Sequence, residues 1–102
     1  MTTFNDGPAQ GQTLLLKYSP HFLRVTELNG KWDALDEPKD QPLPEEKLHC
    51  YVHANHKGHA FLDGPNVSGC YPVCDYDYYP LSPTDEEMRD NAKWAQWCKE
   101  NA

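Results

Sequence analysis

Positive charge is scarce in this chain. Nine lysines and arginines stand against sixteen aspartates and glutamates in 102 residues, a formal charge of −7 with histidines neutral. The nine are also scattered, at Lys17, Arg24, Lys31, Lys39, Lys47, Lys57, Arg89, Lys93 and Lys99. Phosphate backbones are held by clustered Lys and Arg, so the sequence argues against direct binding of DNA or RNA. Long apolar runs are missing too. None exceeds the three residues of Leu14-Leu15-Leu16, far short of the roughly 20 a membrane-spanning helix needs, and no membrane partner is expected. Met1 to Pro8 lacks the basic-then-apolar pattern of a secretory signal, so the expected location is the cytoplasm. There the four cysteines, Cys50, Cys70, Cys74 and Cys98, are weak grounds for disulfides. Gly-x-Ser-x-Gly, P-loop and dinucleotide fingerprints are all absent.

What remains suits one globular domain. Hydrophobic residues make up 38% of the chain and aromatic ones 12%, enough for a core, and the length allows one domain and not two. The expected layout over 1–102 is an N-terminal arm (1–11), strands, an acidic Pro-rich loop (36–46), more strands and a C-terminal helix (82–101). Residues 12–18 have strand composition, and Ser19-Pro20 marks a turn. From His21 to Leu28 the pattern alternates, with Phe22 and Arg24 on one face and Leu23 and Val25 on the other. Asn29-Gly30 follows, and both residues tolerate the positive φ of a type I′ hairpin. Lys31–Leu35 is the returning strand. The 36–46 loop holds three prolines and five acids; proline removes ladder donors and breaks helices.

Residues 47–54 alternate again, and Leu48, Cys50, Val52 and Ala54 form the expected core face. A turn is expected at 55–58, a short strand at 59–62, another turn at 63–66, and a strand over 69–79 edged by Pro72. Ser82-Pro83-Thr84-Asp85 reads as a helix start with Ser82 as N-cap and Pro83 at N1. Asp85, Glu86 and Glu87 suit the positive end of its dipole. The helix is expected over about 83–100, with Met88, Ala92, Ala95 and Cys98 in one arc and Trp97 opposite. The fold class is therefore α+β and β-rich: a small antiparallel sheet or SH3-like barrel of about six strands with one C-terminal helix.

Four constellations could carry chemistry. The first lies between His49 and Cys74, where His53, His56, His59, Cys70 and Cys74 are candidate metal ligands and zinc the possible cofactor. No Cys-x-x-Cys is present, and Cys70 and Cys74 would sit about 13 Å apart on a straight strand. The alternative is a polar strand face with cysteines acting as small hydrophobes. The second is a cysteine nucleophile, Cys70 or Cys74, reaching His53 or His59 across strands; without a motif, enzymatic activity is not the favoured reading. The third is the pair Asp75 and Asp77, on one strand face at a spacing that loosely fits paired carboxylates and better fits a solvated edge. The fourth is aromatic. Trp97 on the polar side of the helix, with Tyr71, Tyr76, Tyr78 and Tyr79 on one strand, exceeds what a one-sided sheet can bury, and such rings dominate protein interfaces.

The opening Phe4-Asn-Asp-Gly-Pro-Ala-Gln-Gly-Gln-Thr-Leu-Leu-Leu-Lys, with Pro20-His-Phe-Leu-Arg-Val and Trp32-Asp-Ala-Leu-Asp, resembles small uncharacterised bacterial and phage accessory proteins. That resemblance covers about a third of the chain and brings no activity with it; it implies an accessory or inhibitor role. The expected function is a non-enzymatic protein-binding module with a protein partner. Trp97, Tyr76, Tyr78 and Tyr79 would be its anchors, and Asp75, Asp77 and the acids of 36–46 would steer the encounter. A small zinc-binding domain built on residues 49–74 is the alternative.

Overall fold

In the computed structural model residues 1–37 and 39–102 are described. Six strands, β1 (Thr2–Phe4), β2 (Thr13–Leu14), β3 (Phe22–Leu28), β4 (Lys31–Leu35), β5 (Lys47–Asp63) and β6 (Ser68–Tyr78), precede two short helices, α1 (Asp85–Arg89) and α2 (Asn91–Asn101). Asn29 and Gly30 take φ of +51° and +79°, and the turn they make joins β3 to β4 as expected, with Leu28 paired to Lys31. The 36–46 segment is a connection without helix or strand; its residue 38 lies outside the described residues.

The strands form one sheet in the order β2-β1-β6-β5-β3-β4. The β-rich class, the six strands and the C-terminal helical segment agree with the sequence reading. The sheet is mixed, however, because β1 runs parallel to β6. Residues 2–4 are therefore not part of an arm: Thr2 and Phe4 are buried, wedged between β2 and β6. A three-residue strand paired to a segment some seventy positions away leaves no local pattern to read. The two ends of the sheet curl towards each other into a nearly closed barrel. Where β2 and β4 end, the Asp36 carboxylate accepts from the backbone N–H groups of Lys17 and Tyr18 at 2.8 and 3.3 Å, tying the two ends together.

Curling gives the molecule two cores. Phe4, Leu16, Leu23, Val25, Tyr51, Cys74 and Tyr76 fill the barrel. Phe22, Leu48, Cys50, Met88 and Trp94 form a second core between the outer face of the sheet and the helices. Strands β3 and β5 are thus covered on both sides. The expected core face of 47–54 is half of the answer: Leu48 and Cys50 point to the helices, while Tyr51 on the opposite face is equally buried.

The helical segment begins two residues later than expected. Thr84, not Ser82, is the N-cap of α1, and its hydroxyl accepts from Glu87 N while the Glu87 carboxylate accepts from Thr84 N. This reciprocal capping satisfies two otherwise orphaned donors. Asp90 then leaves helical geometry (φ −98°, ψ 116°) and serves as both the C-cap of α1 and the N-cap of α2, its carboxylate accepting from Lys93 N. The break resets the helical phase. Ala92 and Ala95 therefore face solvent, and Trp94 turns inward.

Arg24 joins the layers. On β3 it shares a face with Phe22 and is 1% exposed. Nη1 donates to the Met88 carbonyl at the end of α1 and to Asn91 Oδ1 at the start of α2, both at 2.9 Å. Nη2 reaches the Asp40 carbonyl at 3.3 Å, and the guanidinium lies 5.3 Å from the Trp94 ring centroid. One planar, multi-donor group therefore holds both helices and the 36–46 connection against the sheet.

Two stability outcomes follow. Arg24→Lys replaces that fork with one ammonium that cannot serve all three acceptors, and is expected to cost about 2–4 kcal/mol. Urea unfolding followed by tryptophan emission measures it, and a loss under about 1 kcal/mol contradicts the clamp. Gly7 has φ +73°, and a Cβ there would lie 2.6 Å from Tyr78 Cβ and 2.9 Å from Tyr51 Oη. Gly7→Ala should therefore cost more than about 2 kcal/mol. Gly11→Ala, at φ +84° but in open space, should cost only about 1–2 kcal/mol.

Candidate functional site

The longest element points to the site. Seventeen residues of β5 would extend over about 53 Å if straight, at roughly 3.3 Å each, whereas the longest dimension of the molecule is 38 Å. The strand must bend, and it does so at two irregularities in its pairing with β6, between His53 and Asn55 and between His56 and Gly58. Extra residues in one strand of a pair force such bends, and Gly58 supplies φ +124° there. The expected 55–58 turn is therefore a bend inside a continuous strand. Its local composition is turn-like, but the ladder to β6 resumes beyond it.

Past the bend the sheet narrows to two strands. The β3 ladder to β5 ends at Phe22↔Val52, and the β1 ladder to β6 covers only Cys74 to Tyr76. From Gly58↔Val73 to Asp63↔Ser68, β5 and β6 pair only with each other among the described residues. This ribbon ends in a four-residue loop closed by Gly64 N donating to the Val67 carbonyl. At its base the Pro72 carbonyl accepts from the Met1 ammonium at 2.6 Å; beyond Pro72 neither outer edge has a ladder partner among the described residues, a state native sheets usually protect.

One face of the ribbon carries His59 and Phe61 opposite Pro72 and Cys70. Phe61 is 83% exposed, the most exposed of the large apolar side chains among the described residues. Val67 in the loop and Cys70 are also exposed. At the base of the ribbon Asp75 is buried. Its carboxylate accepts from the backbone N–H and side-chain amide of Asn55 at 3.0 and 3.1 Å and pairs with Lys57 at 3.3 Å. Burial by itself would raise the Asp75 pKa, but the Asn55 and Lys57 interactions outweigh it and hold the carboxyl below its ordinary value. The bend is thereby pinned across the strands.

The residues expected to anchor a partner are placed elsewhere. Tyr76 has no exposure and packs in the barrel core. Tyr78 is half-buried against Tyr51, with ring centroids 5.6 Å apart. Tyr79 and Trp97 are half-buried, each with its ring against Phe22, and Trp97 stacks on Trp94 at 5.5 Å. Full burial removes Tyr76 from the expected anchors, while Tyr78, Tyr79 and Trp97 keep only part of their surface exposed. The expectation of surplus rings assumed a sheet covered on one side, and both faces are covered. Asp75 is likewise an internal cross-strand tie, while Asp77 remains exposed and accepts from Asn5 Nδ2.

Compared with family models, curated proteins and solved structures, the chain matches none of them.

Of the metal candidates, His56 and His59 pack ring to ring at 5.0 Å. The others diverge. His53 packs on Tyr76, Cys70 is exposed, and Cys74 is buried with its Sγ 3.5 Å from Thr2 Oγ1. Among the described residues no three His, Cys, Asp or Glu side chains converge on a point that could hold an ion. The remaining thiols are poor nucleophiles, since burial pushes Cys50 up to about 12 and Cys98 up to about 11.

Phe61 and Arg24 are the residues that sequence reasoning passed over. Phe61 lies in the expected strand 59–62, beside the Asp63-Gly64-Pro65-Asn66 turn, but nothing local says that no third strand covers it. Arg24 carried a signal: it shares a strand face with Phe22.

The Asp75 tie has a testable pH signature. A carboxyl whose native pKa is depressed stabilises the fold fully above its unfolded value, about 3.9. That stability is lost as pH falls through the native value. Wild-type stability should therefore drop below about pH 4–5, and Asp75→Asn should show a smaller drop over the same range. Equal slopes for the two proteins, from urea midpoints between neutral and acid pH, contradict the assignment.

Proposed function

We propose that the chain is a non-enzymatic protein-binding module whose contact element is the β5–β6 ribbon, with Phe61 as its anchor. The observation that carries this reading is an 83% exposed phenylalanine on a two-stranded ribbon whose edges, beyond Pro72, have no ladder partner among the described residues. An isolated two-stranded hairpin is marginal in water. Holding this one out with bulges and the Asp75 tie, with an apolar ring near its end, uses stability that a partner's surface would return. Open edges also suit recognition by strand addition, where main-chain bonds provide affinity and side-chain pockets provide selection.

The partner is a protein with an apolar recess for Phe61 and basic residues around it. Of the sixteen acids only Asp63 lies within residues 47–74, so the ribbon is nearly neutral and the body that presents it is acidic. The body would steer the encounter, and the ribbon would make the contact. An accessory or inhibitor role of phage or mobile-element type is the narrower form of this reading, and it rests on the resemblance of the opening residues. The rings of Trp97, Tyr76, Tyr78 and Tyr79 support the ribbon's base and the helices and are not contact residues in this reading.

The test places a photo-crosslinking residue at 61 and, separately, at Leu81, which is 77% exposed. A protein captured at 61 and not at 81 is then purified and titrated with wild type, Phe61→Ala and Leu81→Ala. Phe61→Ala should change stability by less than about 0.5 kcal/mol and weaken binding by about 30-fold or more, the scale of an interface hot spot. Leu81→Ala should bind as wild type does, and association should slow with added salt. Equal binding by Phe61→Ala overturns the proposal. A concentration-dependent dimer that Phe61→Ala abolishes overturns it in favour of a second copy as the occupant.

A further inference from the structure

Away from the ribbon, a cavity of about 310 Å³ opens between the start of β3, the end of β4 and α2. Its walls are mainly apolar, with Phe22, Leu35, Trp94, Ala95 and Cys98 among them, and Arg24 forms part of the wall. That volume lies at the small end of the range for ligand sites, whose usual composition is apolar walls with a few polar or charged groups; here these include Arg24, Asp36 and Glu37.

The arginine is not fully used. A guanidinium offers five N–H donors. Nη1 is occupied by Met88 and Asn91, Nη2 makes one long bond to the Asp40 carbonyl, and Nε has no partner. No carboxylate of the described chain is paired with Arg24. The Asp36 carboxylate is taken by Lys17 and Tyr18, and Glu37 pairs with Lys39. A buried, unpaired charge with an unsatisfied donor is costly. The two under-used nitrogens, Nε and Nη2, form the edge of the fork that receives a carboxylate with two parallel bonds.

We propose that this cavity binds the carboxylate of a small apolar acid. The carboxylate displaces the Asp40 carbonyl from Nη2, which uncovers the Nε–Nη2 edge of Arg24 that is enclosed in the free protein, and takes that edge. The hydrocarbon part lies against Trp94, Phe22 and Leu35. A single negative charge fits better than a phosphate dianion, because one cation is available and Asp36, Glu37 and Asp40 stand around it. This site is independent of the ribbon.

Benzoate is the probe, with benzamide as its neutral isostere and inorganic phosphate as a bare anion. Binding is followed by the Arg24 side-chain Nε–H resonance and by tryptophan emission. Benzoate is expected to shift both and to bind at least tenfold more tightly than benzamide, with phosphate leaving both unchanged. Because Arg24 variants lose the clamp, the mutational arm uses Ala95→Trp, which fills the cavity from the exposed side of α2. Its fold is checked by its urea midpoint, and it should abolish benzoate binding, whereas Phe61→Ala should leave it intact. Equal binding of benzamide, equal binding of phosphate, a silent Arg24 resonance, or unchanged benzoate binding by folded Ala95→Trp would each overturn the assignment.

Discussion

A single buried guanidinium connects the parts of this fold. Helices α1 and α2 are too short to be stable in isolation. They stay on the sheet because Arg24 bonds to the carbonyl that ends one and the side chain that begins the other. The Asp90 break makes this possible, since a continuous helix would bond the Met88 carbonyl internally and leave Arg24 without it. The clamp in turn brings Trp94 over the guanidinium and closes the second core. Burying a cation without a carboxylate is expensive, and the acceptors around Arg24 offset that cost only in part.

Covering the sheet on both faces accounts for the fate of the aromatic residues. An open sheet with one apolar face could not hide rings of both parities along β6. Here Tyr76 and Tyr78 line the barrel side, and Tyr79 joins Phe22 and Trp97 on the helix side. Most of the ring surface that composition suggests for a partner is spent on internal packing. The contact element proposed above lies where the sheet runs out of neighbours, on the far end of β5 and β6.

That end exists because β5 is longer than the barrel can use. Its bulges and Gly58 turn the surplus length into a ribbon, and Asp75 holds the bend with three contacts to Asn55 and Lys57. Acids are sparse on the ribbon and dense around it, so the charge of the body and the apolarity of the tip act at different distances. The cavity beside Arg24 lies on the other side of this division and draws on the clamp.

Local chemistry was readable in the sequence wherever a few adjacent residues decide the outcome. The Asn29-Gly30 turn, the alternation along β3, the β-rich composition and the helical C-terminal segment all follow from propensity and period. The position of Arg24 beside Phe22 was on view as well, though not its acceptors. Only the tertiary structure decided the rest. It paired Thr2–Phe4 with Cys74–Tyr76, buried Tyr76, half-buried Trp97 against Phe22, bent β5 and left Phe61 uncovered. Each of these depends on what stands opposite a residue across tens of positions in the chain, and a periodic pattern records which face a side chain takes but not whether anything covers that face.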